Sequence, residues 1–116
     1  MVGYSQLITK KKRRPKLIIT KNFLIELETV LGYSYRIFGV RAANYFKEEL
    51  MSRIMVLPSF PHANPLNRFR KSTKKKAYRY IIFKNYFIIY SVTISSIRVI
   101  SIINQAINPK TIGKVK

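Results

Sequence analysis

Cations dominate the side chains with which this chain can do chemistry: 23 Lys and Arg stand against four acids and a single His. The acids, Glu26, Glu28, Glu48 and Glu49, share one helix-patterned stretch, whereas Met51 to Lys116 carries thirteen Lys and Arg and no acid. With no Asp, no Cys and only His62, the sequence cannot supply a carboxylate pair, a thiol nucleophile or a zinc cluster, each of which needs several such groups in one place. No metal site and no cofactor is expected, and any catalysis would fall to cations and hydroxyls.

A formal charge of +19 implies a polyanionic or acidic partner, either nucleic acid, an acidic protein or an anionic surface. The lack of Cys excludes a disulfide framework and fits a reducing cytoplasm. Met1 to Thr9 precedes the basic run Lys10 to Arg14, the reverse of the charge order of a signal peptide. The longest uncharged apolar run, Tyr86 to Ile97, is far shorter than the roughly 20 residues a spanning helix needs, so no membrane role is expected.

These side chains must be carried by one small domain, expected over residues 15–116, behind a basic extension over 1–14. Lys16 to Thr20 reads as a strand covered on at least one face. Thr20 or Asn22 can cap a helix whose stripe is Leu24, Leu27, Leu31, Tyr35 and Phe38, ended by Gly39. Ala43, Phe46, Leu50, Ile54 and Leu57 form a second stripe, stopped by Pro58.

A basic, proline-bearing connector runs from Pro58 to Lys76. Three strands follow, Ala77 to Phe83, Tyr86 to Ile94 and Ile97 to Ile103, with Asn85 taking the positive φ of the first turn. The expected fold is α+β: a small antiparallel sheet, made of the N-terminal strand and a three-strand meander, with a two-helix hairpin on one face. The other face is expected to remain open to a ligand or partner.

Three strings then point to a family. "RIFGVRAANYFKEEL" contributes Phe38, Gly39, Ala42, Ala43, Phe46 and Leu50, and "YRYIIFKNYFIIYSV" contributes Tyr78, Arg79, Asn85, Tyr86, Ile88, Ile89 and Tyr90. With "IRVISIINQAINPKTI" after them, the chain resembles the RelE/ParE superfamily of toxins from type II toxin-antitoxin modules over about Lys16 to Ile112.

The resemblance implies one of two activities. RelE-like members cut messenger RNA on the ribosome with converging cations and a C-terminal Tyr; ParE-like members inhibit DNA gyrase by contact. Here Phe87 stands where RelE-like members carry a sheet Arg, Gln105 and Ala106 stand where a tail Arg is common, and no Tyr follows Tyr90. The chain is therefore nearer ParE, with a RelE-like endoribonuclease or a small basic nucleic-acid-binding protein as alternatives. An acidic-tailed cognate antitoxin is the implied partner, and DNA gyrase or the ribosome the implied target.

The resemblance nominates Arg79 as the catalytic cation if RNA is cut. It also nominates Arg79, Lys84, Arg98, Arg68, Arg70 and Lys110 as target or phosphate contacts, and Leu24, Leu27, Leu31, Phe46 and Leu50 as the antitoxin seat. Each has a plainer reading. Arg79 can cover apolar sheet with its stem, Arg68 to Lys76 can be a solvated loop, and Arg98 can guard against wrong strand pairing. Tyr78, Tyr80, Tyr86 and Tyr90 can pack in the core rather than stack on bases, and His62 has no acidic neighbour to make it a base or ligand.

Overall fold

The structure is a computed structural model, which describes residues 14–67 and 76–105. Its elements run β1 (Lys16–Ile19), α1 (Lys21–Phe38), α2 (Val40–Met55), a 3-10 turn (Leu57–Ser59), β2 (Ala77–Phe83), β3 (Tyr86–Val92) and β4 (Ser96–Asn104). Of the expected extension over 1–14, all but Arg14 lies outside the described residues.

The fold is α+β, with the helical hairpin packed on a four-stranded sheet of order β1-β4-β3-β2. β2, β3 and β4 form the expected antiparallel meander. β1 departs from expectation by pairing parallel to β4, from Lys16 opposite Ser96 to Ile19 opposite Val99. The sheet is thus mixed. The cause is connectivity: the helical hairpin carries the chain back so that β2 runs in the direction of β1, and the two antiparallel turns of the meander then leave β4 parallel to both.

Thr20 caps α1 by accepting from the Phe23 N–H at 3.1 Å. Gly39 closes it, donating its N–H to the Tyr35 carbonyl, and its φ of 93° with ψ of 171° is backbone that a side chain would strain. One glycine therefore ends one helix and starts the next. The α2 stripe is as the spacing predicts, with Ala43, Leu50, Ile54 and Leu57 buried.

The α1 stripe is rotated from the predicted one: Phe23 and Leu27 are buried and Val30 and Leu31 pack beside them, while Leu24, Tyr35 and Phe38 are exposed. Phe23, one position before the predicted start, sets the true phase. Beneath the helices, Ile81, Phe83, Ile88, Tyr90, Val92, Ile97, Val99 and Ile102 complete the core.

Val99 and Ile102 are three apart in one strand yet share this core, which strict alternation forbids. A bulge resolves the conflict: Ile89 faces Ser101 while Tyr90 faces Val99, so Ile100 is the extra residue. Its carbonyl accepts from Asn22 Nδ2 at 2.8 Å and Thr20 Oγ1 at 3.3 Å. Just beyond, where β1 has run out, Glu26 Oε1 accepts from Ser101 Oγ at 2.6 Å and from the Ile102 N–H at 3.0 Å. An acid on the helix thereby stands in for the missing strand partner.

The turn between β2 and β3 also corrects the sequence reading: Lys84 takes the positive φ (53°), not Asn85. Gln105 brackets this turn, its N–H donating to the Asn85 carbonyl at 2.7 Å and its Nε2 to the Lys84 carbonyl at 3.0 Å. Those bonds fix the turn's carbonyls in place.

Candidate interaction surfaces

Among the described residues, the predicted contact residues Arg79, Lys84 and Arg98 do not gather at one place. Arg79 lies opposite Tyr90 on the helix side of the sheet, and its Nη1 donates to the Asn64 carbonyl. Asn64 Nδ2 in turn donates to the Tyr90 hydroxyl at 3.1 Å. The Asn67 N–H donates to the Tyr78 carbonyl, the Tyr80 N–H to the Pro65 carbonyl, and Leu66 bridges Arg79. Arg79 is thus a fastener that holds the connector along the β2 edge.

The Tyr90 phenol shows the cost of that packing. Burial pushes its pKa above 10.0, partly countered by the Asn64 hydrogen bond and the Arg79 charge. Lys84 sits at the opposite end of β2, 3.2 Å from Glu49 Oε1 and over the Phe83 ring. Arg98 is exposed on the far face, level with Ile18 and Ser91. Arg68, Arg70 and Lys110 lie outside the described residues.

Of the residues nominated for an antitoxin, Leu27 and Leu50 are core, with relative exposures of 4% and 0%. No partner reaches them without unfolding the hairpin. Leu31 and Phe46 are half-buried, and Leu24 is exposed. Phe46 packs edge-on against Phe83 and Tyr86, with centroids 5.2 and 5.7 Å away.

Phe46 also marks where the helices leave the sheet. α1 starts over Val99 and has reached the strand end at Asn104 by Thr29, so its last turns project past the sheet. Beneath that overhang is a groove of about 740 Å³ lined by Tyr33, Phe38, Tyr45, Phe46 and Tyr86, with Arg36 and Lys84 among its polar residues. Burial raises the Tyr86 pKa, and the nearby Tyr33 phenol adds to the shift. Tyr35, Ile37, Phe38, Val40 and Tyr45 leave the hairpin tip broadly apolar and exposed.

The far face is divided. Towards one end Ile89 and Ile103 are buried with Tyr80 and Phe87, whose rings meet edge-on at 5.4 Å. That end is not the bare surface expected from the alternation of β3. The other end is polar, built on Arg98, Ser91 and Tyr78.

Several of these roles escaped the sequence reading. Glu26 was visible as an acid between the core positions Phe23 and Leu27, a placement that calls for a partner. Asn64 and Gln105 act through main-chain carbonyls and carry no periodic signal. Among the described residues, no group of three or more His, Asp or Glu could hold a metal, and no helix is long and apolar enough to cross a membrane.

Comparison with known proteins agrees with this architecture. The family described as the ParE toxin of the type II toxin-antitoxin system, parDE, matches residues 17–109, and the chain belongs to that family. A solved chain from the chromosomal ParDE toxin-antitoxin system of P. aeruginosa shares the fold, with a TM-score of 0.64 at 11% identity. The match covers 78% of this chain and 96% of that one. No curated protein matches the sequence.

Proposed function

We propose that the chain arrests growth in the cytoplasm by binding a macromolecular target of the gyrase type, and that a cognate antitoxin neutralises it. The observation that carries this reading is the separation of the three nominated cations among the described residues. Arg79 is committed to the connector, Lys84 pairs with Glu49 at the far end of β2, and Arg98 lies on the opposite face. Phosphodiester cleavage needs donors converging on one developing charge, and these three diverge.

Inhibition by contact needs only an adhesive surface. The exposed tip from Tyr35 to Val40 and the aromatic groove beneath it supply one. Leu24, Leu31 and Phe46 remain the nominated hairpin positions that an antitoxin can touch, and its acidic segment would offset the chain's charge.

Induction of the chain alone should stop growth, and co-expression of a neighbouring acidic-tailed reading frame should restore it. Purified chain should inhibit supercoiling by gyrase. Normal growth under induction, with no inhibition of gyrase, would reject the proposal.

A further inference from the structure

The charge is segregated by layer. The two helices hold all four acids and only five of the 23 cations, Lys21, Arg36, Arg41, Lys47 and Arg53. Outside the helices, the described residues carry six cations, Arg14, Lys16, Lys76, Arg79, Lys84 and Arg98, and no acid. Arg79 and Lys84 are engaged elsewhere, but Arg98 lies on the far face and Lys76 stands by the Tyr78 ring, so a partner with many negative charges is drawn to that face.

The far face carries a row suited to such a partner. Ile18 lies level with Arg98, Arg98 with Ser91, and Ser91 with Tyr78, so the row crosses all four strands. Leu17, Ile19, Ile97, Val99 and Val92 are directed into the core, which places the row's side chains on the opposite surface. Arg98 is exposed, and Lys76 Nζ stands 5.6 Å from the Tyr78 ring centre.

Between these cations is an anomaly. Ser91 is 1% exposed, and its Oγ is a buried hydroxyl with no hydrogen-bond partner among the described residues. A hydroxyl so placed costs stability unless something pairs with it. A phosphate oxygen seated against Arg98 would do so, accepting from both the guanidinium and the hydroxyl.

We infer that the row Arg98, Ser91 and Tyr78, with Lys76 beside it, is a phosphate-binding site for a nucleic-acid backbone. A polynucleotide fits better than an acidic protein for two reasons. Serine and arginine hydrogen bonds are common phosphate contacts, and the Tyr78 and Tyr80 rings on the same face offer surfaces for bases. This inference rests on the sheet's geometry and charge, and stands whether or not gyrase is the target.

Fluorescence anisotropy with the full chain tests it, using labelled oligo-dT and a 20-base-pair duplex across a salt series, with poly-glutamate as competitor. Affinity should fall linearly with salt on a log-log plot. Arg98→Ala should weaken binding about tenfold and reduce the slope by about 0.7 for the single strand or 0.9 for the duplex, one phosphate's share. Ser91→Ala should weaken binding about threefold with the slope unchanged. Arg41→Ala, on the helix layer, should change affinity less than twofold.

The preferred length and form of DNA separates a single-strand site from a duplex site. Equal losses for Arg98→Ala and Arg41→Ala would overturn the inference, as would poly-glutamate binding that matches DNA and responds alike to Arg98→Ala. Circular dichroism confirms that each variant is folded. Should a variant be unfolded, titration of the wild-type chain with inorganic phosphate decides, because the Ser91 and Arg98 amide resonances must then move before those of the helices. Growth arrest without nucleic-acid binding would reject this site and leave the toxin reading intact.

Discussion

Beneath the helices, Ile88, Tyr90, Val92, Ile97 and Val99 are all at most 4% exposed; on the other side, the same strands raise Arg98, Tyr78 and Ile82 towards solvent. Alternation alone assigns residues to the two faces, but it does not explain the contrast. One face is closed by the chain's own helices and tied to them by hydrogen bonds at Thr20, Asn22 and Glu26. Among the described residues, the other carries a small apolar cluster of its own. The lesson is that a cation's part follows its face rather than its type: Arg79 on the helix side fastens the connector, whereas Arg98 on the far side is exposed.

The sharpest way to break that comparison is to cut into the covered side. Leu50→Ala should cost about 2–5 kcal/mol in urea unfolding, because the site is fully packed, whereas Leu24→Ala on the same hairpin should stay within about 0.5 kcal/mol. Comparable losses would mean that the hairpin is seated differently. Gly39→Ala should cost about 1–3 kcal/mol through backbone strain, as a Cβ there meets no atom within 4 Å.

Glu26→Ala tests the substitute for the missing strand partner. It strips Ser101 and the Ile102 N–H of their acceptor and should destabilise by about 1–3 kcal/mol, with faster amide exchange at Ile102. Tyr90→Phe should cost about 1 kcal/mol at neutral pH by breaking the Asn64 bond. Its pH dependence is more telling. A phenol whose pKa is raised on folding favours the native state below pH 10.0, and that contribution is lost as pH climbs from there through the folded-state pKa. Wild type should therefore lose stability in this alkaline window, and Tyr90→Phe should lose less.

Glu49→Gln should have the smallest effect, under about 0.5 kcal/mol, since its bridge to Lys84 is 48% and 42% exposed and screened by salt.

Much of this architecture was legible in the residues. The α2 stripe from Ala43 to Leu57, the Gly39 break and the three meander strands appear in the expected order, with β3 ending at Val92 rather than Ile94 and β4 running from Ser96 to Asn104. What failed had local causes. The stripe predicted from Leu24 misses Phe23, the residue that sets the buried face, so the true face lies one position earlier. The parallel pairing of β1 depends on how the crossover returns, which no short-range pattern encodes. The bulge at Ile100 lies within an unbroken apolar run, so its shift of face left no polar signature.

The contact residues were harder to read because a cation's type says nothing of its direction. Arg79 and Arg98 both sit in strands, and only their register, opposite Tyr90 or opposite Ser91, separates a fastener from a surface group. Ser91 is one more strand serine in the sequence, and only its surroundings, which leave the hydroxyl without a partner among the described residues, set it apart.

The claim that the chain binds its target and does not cut it is tested most directly by mapping messenger RNA 5′ ends after induction of the wild-type chain. The separation of Arg79, Lys84 and Arg98 predicts growth arrest with the pattern of ends unchanged. New ends phased to codons, appearing before growth slows, would contradict it.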